Sequence, residues 1–224
     1  TIKNKSWINI SNISCWLGGG SCITINNSHH NHINNIHAKW HWRGIYIANH
    51  STYNRVENCL VEENRSGIYI LGNSSHNVVN NCKAFRNGNE PLWTISDRAG
   101  IAIGEHGEHR HNTIENCEIA YNGGPRSDAG LIAYKAPYTL FRNNHVQDNY
   151  GSGFVVKTNS HHSSIINNKI ENNGQLAVQS GQKGIVGLTI RNVSQGTMVK
   201  NNIIQNNFVS PDSPWKGKDL GHKG

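Results

Sequence analysis

At 224 residues the chain has room for one large domain or two small ones, and five prolines with no linker-like tract argue for one. It is crowded with Asn, Gly, Ile and His rather than Leu, Ala and Glu, which argues against a helical protein. A formal net charge of +7 favours anionic partners, namely acidic polysaccharide, nucleic acid or a membrane surface; no apolar run is long enough to span a bilayer and nothing reads as a signal peptide.

Ile2 stands eight residues before Ile10, the offset that also separates Ile25 from Ile33. The chain therefore reads as opening inside a strand of a repeating unit, with Lys3 on its outer face, and as a piece of a longer protein. From there a motif of apolar–x–Asn–x–x–apolar form recurs. It runs as Ile10-Ser-Asn12-Ile-Ser-Cys15, Ile33-Asn-Asn35-Ile-His-Ala38, Val56-Glu-Asn58-Cys-Leu-Val61 and Val79-Asn-Asn81-Cys-Lys-Ala84. It continues as Ile114-Glu-Asn116-Cys-Glu-Ile119, Phe141-Arg-Asn143-Asn-His-Val146, Ile165-Ile-Asn167-Asn-Lys-Ile170 and Val199-Lys-Asn201-Asn-Ile-Ile204. The Asn-to-Asn steps are 23, 23, 23, 35, 27, 24 and 34 residues, so the long ones are insertions into a 23-residue unit.

Between these motifs lie short alternating strands: Ile23-Thr-Ile25, Ile45-Tyr-Ile47, Ile68-Tyr-Ile70, Ile101-Ala-Ile103, Leu131-Ile-Ala133, Phe154-Val-Val156 and Leu188-Thr-Ile190. Period-two alternation sends the outer two residues of each triplet into a core and the middle one outward. Three very short strands per unit, stacked as coils about 4.8 Å apart, make three parallel sheets around one dry core. The recurring Asn suits such a corner, because its amide is both donor and acceptor and it tolerates a left-handed backbone. The fold expected is all-β: a parallel β-helix of about eight coils with an Asn ladder over 1–209, followed by a tail over 210–224 that leaves the repeat.

Five cysteines form no zinc-type CxxC pair and no readable disulfide framework. Cys59, Cys82 and Cys117 fall in one inward column with Ile13, Ile36, Asn144, Asn168 and Asn202, as a stack of small core thiols that stay reduced. His30, Tyr53, His76, His111, Tyr138 and His162 share another column, where stacked rings at a turn account for them better than a metal does. Glu105, His106, Glu108, His109 and His111 cluster in an enlarged turn that could hold a cation; no metal site is assigned.

Insertions in a solenoid gather on its binding face. From the recurring Asn to the Gly that opens the alternating strand, the usual nine or ten residues grow to 19 after Asn81, 14 after Asn116 and 20 after Asn167. All three enlargements enter the same turn (88–98, 123–128 and 172–186) and should wall a groove along the alternating strands. Its floor would be Thr24, Tyr46, Tyr69, Ala102, Ile132, Val155 and Thr189. The column just after the strands reads Asn26, Ala48, Leu71, Gly104, Tyr134, Lys157 and Arg191. Arg43, Arg65 and Arg98 fall at the edge, with Trp42 and Trp93 as sugar-stacking candidates, and Asp97, Asp128 and Glu105 are acids near the same floor.

In its Asn-bearing repeat the chain resembles the pectate-lyase-like superfamily of right-handed parallel β-helices over nearly its full length. That resemblance implies a carbohydrate-active protein, extracellular or at a cell surface, with calcium a cation some members hold. Lyases and uronate epimerases of this fold place a Lys or Arg base, a charge-neutralising Arg and sometimes a Tyr or His in the groove. Tyr134, Lys157 and Arg191 look like that set, with Tyr46, Tyr69, Arg43, Arg65, Arg98, Trp42 and Trp93 as substrate-binding residues. No family signature string surrounds them, and the calcium-binding acids of pectate lyases have no counterpart here. The alternatives are a glycoside hydrolase using Asp97, Asp128 and Glu105, or a non-catalytic binding module, adhesin or phage-fibre segment. Nucleic-acid binding is disfavoured, since the positive charge is dispersed and no reading motif is present.

Overall fold

The computed structural model describes residues 1–88, 99–104, 106–123, 129–174, 187–192 and 194–207. Among the described residues every strand pairing is parallel and no helix occurs. The first sheet stacks Ile10, Ile33, Val56, Val79, Ile114, Phe141, Ile165 and Val199 in register, which counts eight coils. The second stacks Cys15, Ala38, Val61, Ala84, Ile119, Val146, Ile170 and Ile204. The third stacks Ile2, Ile25, Ile47, Ile70, Ile103, Ala133, Val156 and Ile190. In the first two coils the strands run unbroken round the corners, as Asn9–Asn26 and His32–Ala48; a bulge lies between Gly18 and Ser21. Later coils break into three- to six-residue pieces such as Arg55–Glu57, Leu60–Glu62 and Ser66–Ile70.

Inward residues of all three sheets meet in one apolar core dominated by Ile and Val. β-Branched side chains suit it, since each packs on its counterpart one coil away. Cys59, Cys82 and Cys117 are buried free thiols whose Sγ groups donate to the carbonyls of Glu57, Asn80 and Glu115. The flanking thiols of Cys117 and Cys59, together with burial, push the Cys82 thiol well above its ordinary value.

The corners hold the asparagines. Asn12, Asn35, Asn58, Asn81, Asn116, Asn143, Asn167 and Asn201 all have φ between 50° and 59°, in one exposed column. Side-chain bonds there are partial: Asn35 donates to Asn12 and Asn81 to Asn58, whereas Asn58 and Asn116 donate to Asn34 and Asn80. The continuous ladders are elsewhere and buried, except at their half-buried last members Asn202 and Asn207. Asn64, Asn87, Asn122, Asn149, Asn173 and Asn207 form one, each Oδ1 accepting both the backbone N–H and the Nδ2 of the preceding member. Asn31, Asn54, Asn77 and Asn112 form a second, and Asn144, Asn168 and Asn202 a third that takes over from Cys117.

The ring column is present and gains a first member, Trp7. Stacked centroids lie 4.5 Å apart at Trp7–His30, 5.1 Å at His30–Tyr53 and 4.8 Å at Tyr53–His76. They lie 4.9 Å apart at His76–His111, 5.0 Å at His111–Tyr138 and 5.2 Å at Tyr138–His162. The coil repeat sets this stacking distance. One disulfide is present, joining Cys15 and Cys22 within the strand Asn9–Asn26, on either side of its bulge.

Candidate functional site

The third sheet carries the candidate site because its outward residues and the positions just after it line up coil upon coil. Tyr134 pairs in register with Lys157, and Lys157 with Arg191, so phenol, amine and guanidinium occupy successive coils of one column. The Lys157 Nζ lies 5.8 Å from the Tyr134 ring centroid and the Lys135 Nζ lies 5.4 Å from it. Gly104 precedes Tyr134 in the column, and a Cβ there would come within 2.9 Å of the Tyr134 Cβ, so glycine makes room for the tyrosine. Tyr134 and Lys157 are half-buried and Arg191 is exposed.

Upstream on the same face, the Arg43 guanidinium lies 4.4 Å from the Tyr46 ring and 5.3 Å from the Tyr69 ring, and these two rings stack at 6.3 Å. Arg65 lies 5.3 Å from the ring of Trp42, which is 47% exposed. Cationic and aromatic groups thus alternate at this edge, a surface that suits a polyanionic sugar chain.

The floor differs from expectation. Tyr69 (4% exposed), Ala102, Ile132 (1%) and Val155 (4%) point away from the core yet are buried, in a second apolar cluster with Leu71, Ala99 and Ala129 against which Tyr46 packs. Tyr69 is therefore not an open substrate-contacting ring. An apolar side chain gains stability from leaving water on either face of a sheet, and alternation alone does not say which faces are covered. Trp93, Asp97, Arg98, Glu105 and Asp128, and the tail over 210–224, lie outside the described residues. Of the suggested cation cluster, Glu108 is tied to Arg110 at 2.7 Å. Among the described residues the grouping of His, Cys, Asp or Glu close enough to share a cation is a different one, Cys15, Cys22 and His41.

Sequence reading missed Lys135 beside Tyr134 and the pairing of Arg43 with both tyrosines. The signal for Arg43 was present, since Arg43 precedes Tyr46 by three residues and lies one coil from Tyr69.

A family model described as right handed beta helix region matches residues 1–109 and 94–212. The chain belongs to that family. No curated protein matches this β-helix by sequence. Among solved structures it is similar to the A-module of the Azotobacter vinelandii mannuronan C-5 epimerase AlgE4 (TM-score 0.63, 14% identity, covering 93% of this chain and 57% of that one). It is also similar to the periplasmic alginate epimerase AlgG (TM-score 0.59, 16% identity, 81% of this chain and 43% of that one). A third is the pectate lyase Pel9A (TM-score 0.56, 18% identity, 81% and 56%). The β-helix thus spans about half the length of these structures.

Proposed function

We propose that this β-helix acts outside the cytoplasm on a uronate-containing polysaccharide, by lyase or epimerase chemistry at Tyr134, Lys157 and Arg191. The observation that carries the reading is the in-register column of phenol, amine and guanidinium on three successive coils. Similar folds in a mannuronan C-5 epimerase, an alginate epimerase and a pectate lyase support it.

Both reactions begin alike. A base removes the proton from the ring carbon that bears the carboxylate, and the electron pair delocalises into that carboxylate. Arg191, the exposed cation, binds the carboxylate through its planar fork and stabilises the charge that develops on it. Lys157 takes the proton at Nζ, with the Tyr134 hydroxyl poised as the second proton-transfer group. If the pair then expels the oxygen substituent on the adjacent carbon, the chain is cut and a ring double bond forms. If instead the carbon takes a proton back on the opposite face, the sugar is epimerised and the chain stays whole. Arg43 and Arg65 extend the cationic track toward the first coils, where Tyr46 and Trp42 offer flanking ring surface.

The test is incubation with a panel of uronate and neutral polysaccharides, following the ultraviolet absorbance of an unsaturated product, reducing ends, and proton exchange into the polymer. K157A and R191A should each abolish turnover on the acidic polymer while leaving the far-ultraviolet circular dichroism unchanged. Full turnover in either variant, or new reducing ends without unsaturation, would move the assignment to hydrolysis by groove carboxylates.

A further inference from the structure

The first two coils also carry a cluster that the polysaccharide reading does not use. We propose that Cys15, Cys22 and His41 form a thiolate–imidazole site for a zinc-class cation, opened when the Cys15–Cys22 disulfide is reduced.

One donor atom from each residue, two sulfurs and an imidazole nitrogen, lies within 4.8 Å of the other two. Tetrahedral zinc, with bonds of roughly 2.0–2.3 Å, holds its donor atoms about 3.3–3.8 Å apart, so the two sulfurs must part from their bonded distance, within the 4.8 Å that already spans all three donors. The imidazole is already oriented. Its Nε2 lies 3.1 Å from the Cys15 carbonyl, and the His41 backbone N–H donates at 2.9 Å to Asn64, the first rung of the long buried ladder. With Nε2–H donating to that carbonyl, Nδ1 carries a lone pair. It is buried and makes no hydrogen bond, in a residue only 9% exposed. A histidine that gives one ring N–H to a backbone carbonyl and keeps the other nitrogen as a lone pair has the arrangement of a metal ligand.

The bulged strand segment between the cysteines makes room for the imidazole. Gly18 sits opposite His41 in the parallel pairing, and a Cβ there would fall 2.4 Å from His41 Nδ1. Gly19 and Gly20 have open space around them. Two thiolates and an imidazole select a soft or borderline cation over calcium or magnesium, and three protein donors leave a fourth position for water or another ligand. The change of state balances. A dithiol reductant gives two electrons and two protons to the disulfide and is itself oxidised to a disulfide. The resulting Cys15 and Cys22 thiols lose those two protons as their sulfur–metal bonds form.

Cobalt(II) is the probe, because its bonds to thiolate absorb in the near ultraviolet. The reduced chain should bind one cobalt with thiolate-to-metal absorption that zinc displaces, and the oxidised chain should show none. C15S/C22S should lose the absorption, and H41Q should weaken binding by at least about tenfold. No absorption in the reduced chain, or absorption that persists in C15S/C22S and so arises from Cys59, Cys82 and Cys117, overturns the proposal. Far-ultraviolet circular dichroism reports folding, and if C15S/C22S does not fold, H41Q decides: unchanged cobalt affinity overturns the site.

Discussion

Asparagine builds two unlike kinds of column in this solenoid. The column from Asn12 to Asn201 stands at exposed corners, where each residue has a left-handed backbone and its side chain bonds to a neighbouring coil only in places. The column from Asn64 to Asn173 is buried, each amide bonding to the coil on either side, and it ends at the half-buried Asn207. In the first, asparagine is present for its backbone tolerance and a glycine would serve. In the second it is present for its amide, because a buried corner must satisfy backbone groups that water cannot reach. The same letter at two offsets of one repeat answers two different physical demands.

The largest effect should come from the buried column. Asn87→Ala leaves the Asn64 N–H and Nδ2 without their acceptor and the Val61 carbonyl without its donor. At about 1–3 kcal/mol for each buried group left unpaired, a loss on the order of 3–5 kcal/mol is expected in urea unfolding. A loss below about 1 kcal/mol would erase the distinction between the columns. Asn87→Asp sharpens it. The carboxylate would face the Val61 carbonyl and the Asn122 Oδ1, both acceptors, so ionisation is disfavoured in the folded chain. Its folded pKa is then raised, and its deficit against the native chain should shrink as pH falls through that value.

In the exposed column, Asn116→Val should cost roughly 1–2 kcal/mol, since a β-branched residue tolerates a φ of 54° poorly, and Asn116→Gly about 0.5 kcal/mol or less. Equal losses in the two variants would show that the Asn116 amide, which donates to Asn80, matters more than its backbone.

Two ionisable groups give smaller, pH-dependent effects. Lys169, Gln205 and His145 hold the buried Glu171 carboxyl down to about 2 from an ordinary 4.5. A depressed carboxylate stabilises the fold above its unfolded pKa and loses that contribution as pH falls toward 2. The stability gap between the native chain and Glu171→Gln should therefore be present at neutral pH and close between about pH 4.5 and 2. In the ring stack, burial and then the neighbouring His111 lower the His76 pKa. The folded chain binds fewer protons there than the unfolded one, so stability is complete above the ordinary histidine value and declines as pH falls below it. His76→Phe should flatten that decline; an unchanged acid slope would show that His76 does not contribute to it.

Much of this was legible in the residues. The 23-residue repeat, the three-strand coil, the thiol column and the ring column follow from period and alternation, because a solenoid maps sequence distance onto a single stacking direction. The buried ladder is also present in the sequence, six residues after each exposed Asn from Asn58 to Asn201. In those coils both recur at a fixed offset, and polarity pattern does not tell a buried amide from an exposed one. The trio Tyr134, Lys157 and Arg191 was found by register counting, since strand pairing keeps residues of equal offset adjacent.

What the sequence by itself determined is therefore everything that repeats: the coil, the number of sheets, and which residues share a column. Only the tertiary structure decided which columns water reaches. Tyr69, Ile132 and Val155 alternate outward and are nonetheless buried, and Asn87 carries a polar side chain and is wholly enclosed. It also decided the contact among Cys15, Cys22 and His41, which no repeat announces. Periodicity is a property of one chain direction, whereas burial and ligand geometry depend on what lies beside a residue in the other two dimensions, and a linear pattern carries no term for that.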